Sequence, residues 1–220
     1  MVEPAGARPA SIPAASSPSA SAAPPRGPAP ARAAVWLSER LLRAERAAVM
    51  ALMALLFGLI LLNVASRYGG FPIFWVDEAA IYAVVWLTFI GASAMSRLRL
   101  DFAVTMLTGA VGPVAAGWLR RAAALANLLF MLALAAMCAW WLDPAGFAEA
   151  GFDAKAFAAQ SFNFLYTERT QALGWPTWVF YLAMPMYALC AAVHALANLV
   201  EDLGWVDRIE RAPLGGHAEA

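Results

Sequence analysis

Four long stretches of this 220-residue chain carry no Asp, Glu, Lys or Arg: residues 47–66, 79–96, 122–142 and 170–200. The first opens "AAVMALMALLFGLILLN", and the third reads "AAALANLLFMLALAAMCAWWL". About 20 mainly apolar residues suffice for a helix to cross a bilayer. Inside the hydrocarbon the backbone must satisfy its own hydrogen bonds, which leaves helices as the spanning element for such runs. The fourth stretch contains Pro176 and Pro185, and its span is expected from about residue 176 onward. Composition agrees, with 62% hydrophobic and only 14% charged residues, where a soluble domain carries about 25% charged. The mean hydropathy is +0.63. The expectation is an all-α integral membrane protein with four transmembrane helices at about 47–66, 79–96, 122–142 and 176–200.

The rest of the chain divides around these spans. Residues 1–34, rich in Ala, Pro and Ser, have little to bury and are expected to form a disordered tail. They lack the apolar core of a cleaved signal peptide, and a true start nearer Trp36 is an alternative. Residues 35–205 then form the membrane domain and 206–220 a short tail. Trp36, Leu37, Leu41 and Leu42 alternate with Arg40, Arg43 and Arg46, a pattern for an interfacial helix ahead of the first span. Between the second and third spans, "RLRLDFAVTMLTGAVGPVAAGWLRR" is weakened as a span by its Thr, Gly and Pro. A second interfacial helix over about 102–107, followed by a turn at 109–113, fits it better.

Orientation follows from the basic residues beside the spans. Arg40, Arg43 and Arg46 precede the first, and Arg97, Arg99, Arg120 and Arg121 lie between the second and third. The other two connections hold Arg67, and Lys155 and Arg169 against four acids. Both termini are therefore expected in the cytoplasm, with residues 67–78 and 143–175 outside. Most tryptophans cluster near span ends, as an aromatic belt does; Trp86, near mid-span, is expected to pack on another helix.

Chemistry-bearing patterns are scarce. Fifteen basic and fifteen acidic residues cancel, which argues against a nucleic-acid partner. Only two histidines occur, His194 and His217, too few for a metal cluster, and interhelical hydrogen bonding is the expected role of His194. Cys138 and Cys190 read as buried free thiols, and there is no phosphate-binding loop. No ionisable group is placed with assurance at mid-bilayer, so the spans are read as lacking a polar core, and no catalytic residue, metal or cofactor is expected. The adjacent Asp77 and Glu78 stand at the outer start of the second span. Helix capping and boundary marking explain them, as does pairing of Glu78 with Arg67 or with a base on a partner; catalysis or ion coordination explains them less well. Ala79, Ala83, Gly91, Ala92 and Ala94 keep that helix slim for close packing.

The segment "LNVASRYGGFPIFWVDEAAIYAVVWLTFIGASAMSRLRLDFAV" resembles the small membrane subunit of tripartite ATP-independent periplasmic (TRAP) transporters. Asn63, Val64, Arg67 and Tyr68 match that family's Asn-Val and Arg-Tyr after its first helix. Phe74 and Trp75, the pair Asp77 and Glu78, then Trp86, Gly91 and Ala92 fall into its next positions. Near the end, Gly174, Pro176 and Pro185 match its Leu-Gly-x-Pro and Leu-x-Pro. Two features depart from the pattern. Leu100, Asp101, Phe102, Val104 and Thr105 replace a Gly-His-Ile and Val-Asp block, and the loop at 143–175 is longer, with "FDAKAFAAQSFNFLYTERT" fit for an amphipathic surface helix.

The resemblance implies a small permease subunit working beside a large permease subunit and a periplasmic solute-binding protein, taking up an organic acid on a sodium gradient. It implies that the subunit steadies and extends the scaffold of the large one and helps dock the receptor. Asn63, Arg67, Tyr68, Trp75, Asp77, Glu78, Trp86, Gly91, Gly174, Pro176 and Pro185 would then be structural or partner-interface residues. Two other readings remain at this stage. An oligomeric channel or exporter would want a polar stripe along a span, and an enzyme's membrane anchor would want facing histidines.

Overall fold

The computed structural model describes residues 27–99, 110–209 and 211. Four helices in it are long and apolar enough to cross a membrane. Helix α1 (Ala29–Tyr68) begins with Pro28 as its cap and Pro30 in its first turn, where a missing N–H costs nothing. Its 40 residues would span about 60 Å, twice the hydrocarbon thickness. Gly69 and Gly70 end it, the latter with φ +78°. Helix α2 (Phe74–Leu98) follows Pro72 and closes on Arg99 in the left-handed region. Helix α3 (Pro113–Leu142) opens on its proline.

Two short helices, α4 (Pro144–Glu149) and α5 (Ala154–Ser161), lie outside the bundle and are capped by Asp143 and Asp153. The last span is split into α6 (Trp178–Tyr181) and α7 (Ala183–Asp202). The break at Leu182 follows from Pro185, which has no N–H to offer the Tyr181 carbonyl.

Several sequence expectations change here. Residues 29–34, expected in the tail, are the first turns of α1. The segment before the first span is no separate interfacial helix. An unbroken run of helix formers joins it to the span, and its buried face, Ala31, Val35, Ser38, Leu42 and Glu45, recurs every three or four residues against α7. The proposed helix at 102–107, and the departures from the family pattern at 100–105, lie outside the described residues. The tail's beginning belongs to the bundle: Val206 is buried with Ala31, Val35, Ala197 and Val200. At Gly27 a Cβ would fall 2.1 Å from the Trp205 carbonyl oxygen, so only glycine passes over that turn.

Helix α7 is the hub, with α1, α2 and α3 all packed on it. Six of its ten buried residues are alanine (Ala183, Ala188, Ala191, Ala192, Ala195 and Ala197), which lets backbones approach closely where lipid gives no hydrophobic drive. On that same helix His194, Asn198 and Glu201, spaced by four and three residues, face inward. The expectation of spans without a polar core is thereby overturned. Arg97 is 0% exposed, yet donates to Asn198 Oδ1 (2.6 Å), Glu201 Oε1 (2.7 Å) and Glu39 Oε1 (2.9 Å). Arg211 from the tail bridges the same two glutamates, and Arg99 meets Asp202. These charges persist because each is paired in an otherwise costly environment.

Removing one member of such a buried set strands the others. Arg97→Ala is expected to destabilise the detergent-solubilised protein by about 3–5 kcal/mol, read as a lowered thermal unfolding midpoint. An unchanged midpoint would remove Arg97 from the centre of the fold.

Candidate functional site

At the outer end of the bundle, most of the motif residues converge on one place. Glu78 rises from the first turns of α2 and its carboxylate accepts three successive backbone N–H groups: Gln171 (2.9 Å), Ala172 (2.7 Å) and Leu173 (2.8 Å). Glu78 pairs neither with Arg67 nor with its own helix end, which has no side-chain cap. It holds down a loop. Gly174 follows with φ +66°, a conformation that suits glycine, and Arg169 and Pro176 form an isolated bridge closing the turn.

This anchoring places Leu173 and Trp175 over an open cleft of about 260 Å³. Leu52 and Leu55 of α1, Ala79, Tyr82, Ala83 and Trp86 of α2, and Phe180 of α6 complete its walls. Tyr82 stacks on Phe180 with ring centres 3.7 Å apart. Trp86, expected to pack on another helix, is half-buried as a wall of this cleft.

Beside the cleft, the pairing sought for Glu78 falls to Asp77. Arg67 Nη2 donates to Asp77 Oδ2 at 2.7 Å, and Arg67 Nε to Asn63 Oδ1 at 2.8 Å. The Asn63 amide closes the triangle by donating to Asp77 Oδ1. The triangle ties the end of α1 to the start of α2. Its ion pair is about half exposed (61% and 46%), so it contributes orientation more than stability.

Tyr68 and Trp75 are exposed at this rim and have no part in the triangle. Gly91 is three turns or more away; a Cβ there would meet nothing within 4 Å, so its small size serves no contact among the described residues. The small residues of α2 that are buried are Ala83, Ser93 and Ala94. Pro185 acts at a distance, through the break between α6 and α7.

The outer loop is a folded cap. Phe147 stacks on Tyr166 at 4.0 Å, and Phe157 meets both rings edge-on. The Tyr166 hydroxyl donates to the Leu142 carbonyl (2.6 Å) and the Asn163 amide to that of Trp141 (2.8 Å), satisfying groups that the end of α3 leaves open. Burial, with Asp143 nearby, pushes the Tyr166 phenol above its ordinary range. Helix α5 supplies the amphipathic segment expected in this loop, though only eight residues long.

Reasoning from the sequence missed the polar chain at the cytoplasmic end. Ser93 Oγ donates to Glu45 Oε1 (2.6 Å); Glu45 Oε2 lies 2.9 Å from His194 Nε2, and His194 Nδ1 2.7 Å from Ser38 Oγ. His194 thus makes the interhelical bonds expected of it. The signal was the inward polar spacing on α7, repeated by Ser93 and Arg97 on α2. No group of His, Cys, Asp and Glu able to hold a metal occurs among the described residues. Cys138 and Cys190 are free.

A family model described as tripartite ATP-independent periplasmic transporters, DctQ component, matches residues 56–204. No curated protein and no solved structure matches the chain. The matched span takes in the outer third of α1, the cleft apart from Leu52 and Leu55, the cap and the whole of α2, α3 and α7. Ser38, Glu39, Glu45 and Arg211 lie beyond it.

Glu78→Gln preserves the size of the side chain but removes its charge and one acceptor oxygen. Hydrogen exchange at the amides of residues 171–173 is expected to accelerate while that of α7 stays unchanged. Unaltered exchange at those three amides would show that the loop holds without the carboxylate.

Proposed function

Because the chain belongs to the DctQ family, the small permease component of tripartite ATP-independent periplasmic transporters, we propose that it serves as the fixed scaffold beside a large permease subunit. It is a multi-pass inner-membrane protein with both termini in the cytoplasm and has a non-catalytic role in the complex. In this reading the large subunit moves the solute, an organic acid driven by a sodium gradient, while this subunit holds its frame. The folded cap, with Phe152, Phe162 and Phe164 exposed, faces the periplasmic solute-binding protein and helps dock it.

The observation that carries the proposal is the outer cleft. Glu78, Gly174 and Pro176 set the loop that carries Leu173 and Trp175 over an open hollow walled by Tyr82, Trp86 and Phe180. Aromatic side chains around a concavity are the usual anchors of a protein interface. The position of Gly91 points the same way, since a residue kept small without an internal neighbour suits a close approach from outside. The charged groups of the inner cluster, by contrast, are spent on one another, as befits a frame.

Tagged chain co-expressed with the large permease tests this directly. Trp86→Ala removes a wall of the cleft, and Gly91→Phe adds bulk where the chain itself has room. Both are expected to lower recovery of the permease several-fold while the tagged chain keeps its yield and unfolding midpoint. Wild-type recovery with both variants would contradict the interface. Vesicles holding the complex and its receptor should accumulate an organic acid only while an inward sodium gradient lasts; uptake indifferent to sodium would contradict that part.

A further inference from the structure

The first half of α1 has two faces of different character. Ala31, Val35, Ser38, Leu42 and Glu45 are buried against α7 and the turn after it. Arg32, Trp36, Arg40 and Arg43 are exposed and follow one another at intervals of four, four and three residues. That spacing stacks them along one side of the helix. The stripe cannot roll inward, because the buried face is fixed by the bond of Ser38 to His194 and its flank by the pairing of Glu39 with Arg97.

The same contacts set its depth. Arg97 ends α2 on the cytoplasmic side, so Glu39 and its neighbour Arg40 stand at the level of the cytoplasmic headgroups. Arg32 and Trp36 lie within about 12 Å of them along the axis. The Arg40 guanidinium sits 4.9 Å from the centre of the Trp36 ring. Across the bundle Arg121 lies 5.6 Å from the Trp118 ring and donates to the Asp202 carbonyl, marking the same level. An indole beside a guanidinium, one amphipathic and one ionic, suits the headgroup layer.

No acid of the described residues forms an ion pair with Arg32, Arg40 or Arg43. The two that could, Glu39 and Glu45, turn inward to Arg97, Arg211 and His194. Three guanidiniums are thus presented to a leaflet whose surface potential is negative. We propose that this stripe is a binding site for anionic phospholipid, the phosphodiester held by Arg40 and Arg43 and the headgroup beyond it lying against Trp36 and Arg32. Such a site pins the cytoplasmic end of α1 to its leaflet, and it rests on the helix geometry independently of the transported solute.

The test is lipid retention by the full chain in complex with its permease. Complexes in mild detergent are mixed with phosphatidylglycerol or phosphatidylcholine and bound lipid is counted by native mass spectrometry. Wild type is expected to retain phosphatidylglycerol preferentially, and the triple variant R32Q/R40Q/R43Q to lose that preference several-fold. The triple lysine variant, which keeps the charge, is expected to retain most of it and guards against a folding defect. Equal retention of both lipids by wild type, or a glutamine variant that binds as wild type does, would overturn the proposal. Preference shown by the chain alone but lost in the complex would also overturn it, because the stripe would then be a protein interface.

Discussion

The guanidinium of Arg97 has no access to water and must find all its compensation inside the protein. Its partners come from α1 (Glu39) and α7 (Asn198 and Glu201), and it is itself on α2, so one side chain fixes three helices at one depth. A buried charge tolerates little misalignment, since breaking one contact strands another charged group. The tail follows from the same demand: Arg211 completes Glu39 and Glu201, and Val206 seals the adjoining apolar cluster. With α2 and α7 so fixed, α3 docks on the alanine face of α7 and ties back through Arg121 and Asn127.

The two ends of the bundle are built with different stiffness. At the cytoplasmic end the charges are interlinked around the fully buried Arg97 and Glu201, and a polar chain from Ser93 to Ser38 extends the bonding deeper. At the outer end the Arg67–Asp77 pair is half in solvent and Glu78 holds only a loop, though the rings of the cap give that loop a small core of its own. A frame anchored below and adaptable above suits a subunit that must stay registered in the membrane while its outer surface meets partners. The outer cleft combines a wall from α2 with a rim set by one carboxylate.

How far this could be read from the sequence differs by feature. The four apolar runs and the skew of arginines were plain because bilayer thickness and membrane insertion act on composition alone. The motif residues were also identifiable, but their partners were not. Asp77 and Glu78 are neighbours about 100° apart around a helix, so one meets Arg67 and the other a loop more than ninety residues away. The inner cluster was hidden for a related reason. Glu39, Glu45 and Arg97 each look like flanking charges on their own helix, and only closure of α1 on α7 reveals that Glu45 and Arg97 are buried and that Glu39 turns inward to pair. The inward stripe of His194, Asn198 and Glu201 was the legible clue, as three polar residues on one face of an apolar helix require partners there. The length of α1 was misjudged because amphipathic composition suits an interfacial helix as well as one packed on a neighbour.

The claim on which these points depend is that the bundle stays one rigid body about Arg97. Spin labels at Leu37→Cys on α1 and Val114→Cys on α3, both exposed, report it once Cys138 and Cys190 are replaced. In the assembled transporter a single narrow distance distribution is expected, unchanged between resting and transporting conditions and broadened by R97Q. A second distance that appears during transport in the otherwise unaltered bundle would contradict the account, making this subunit a moving part.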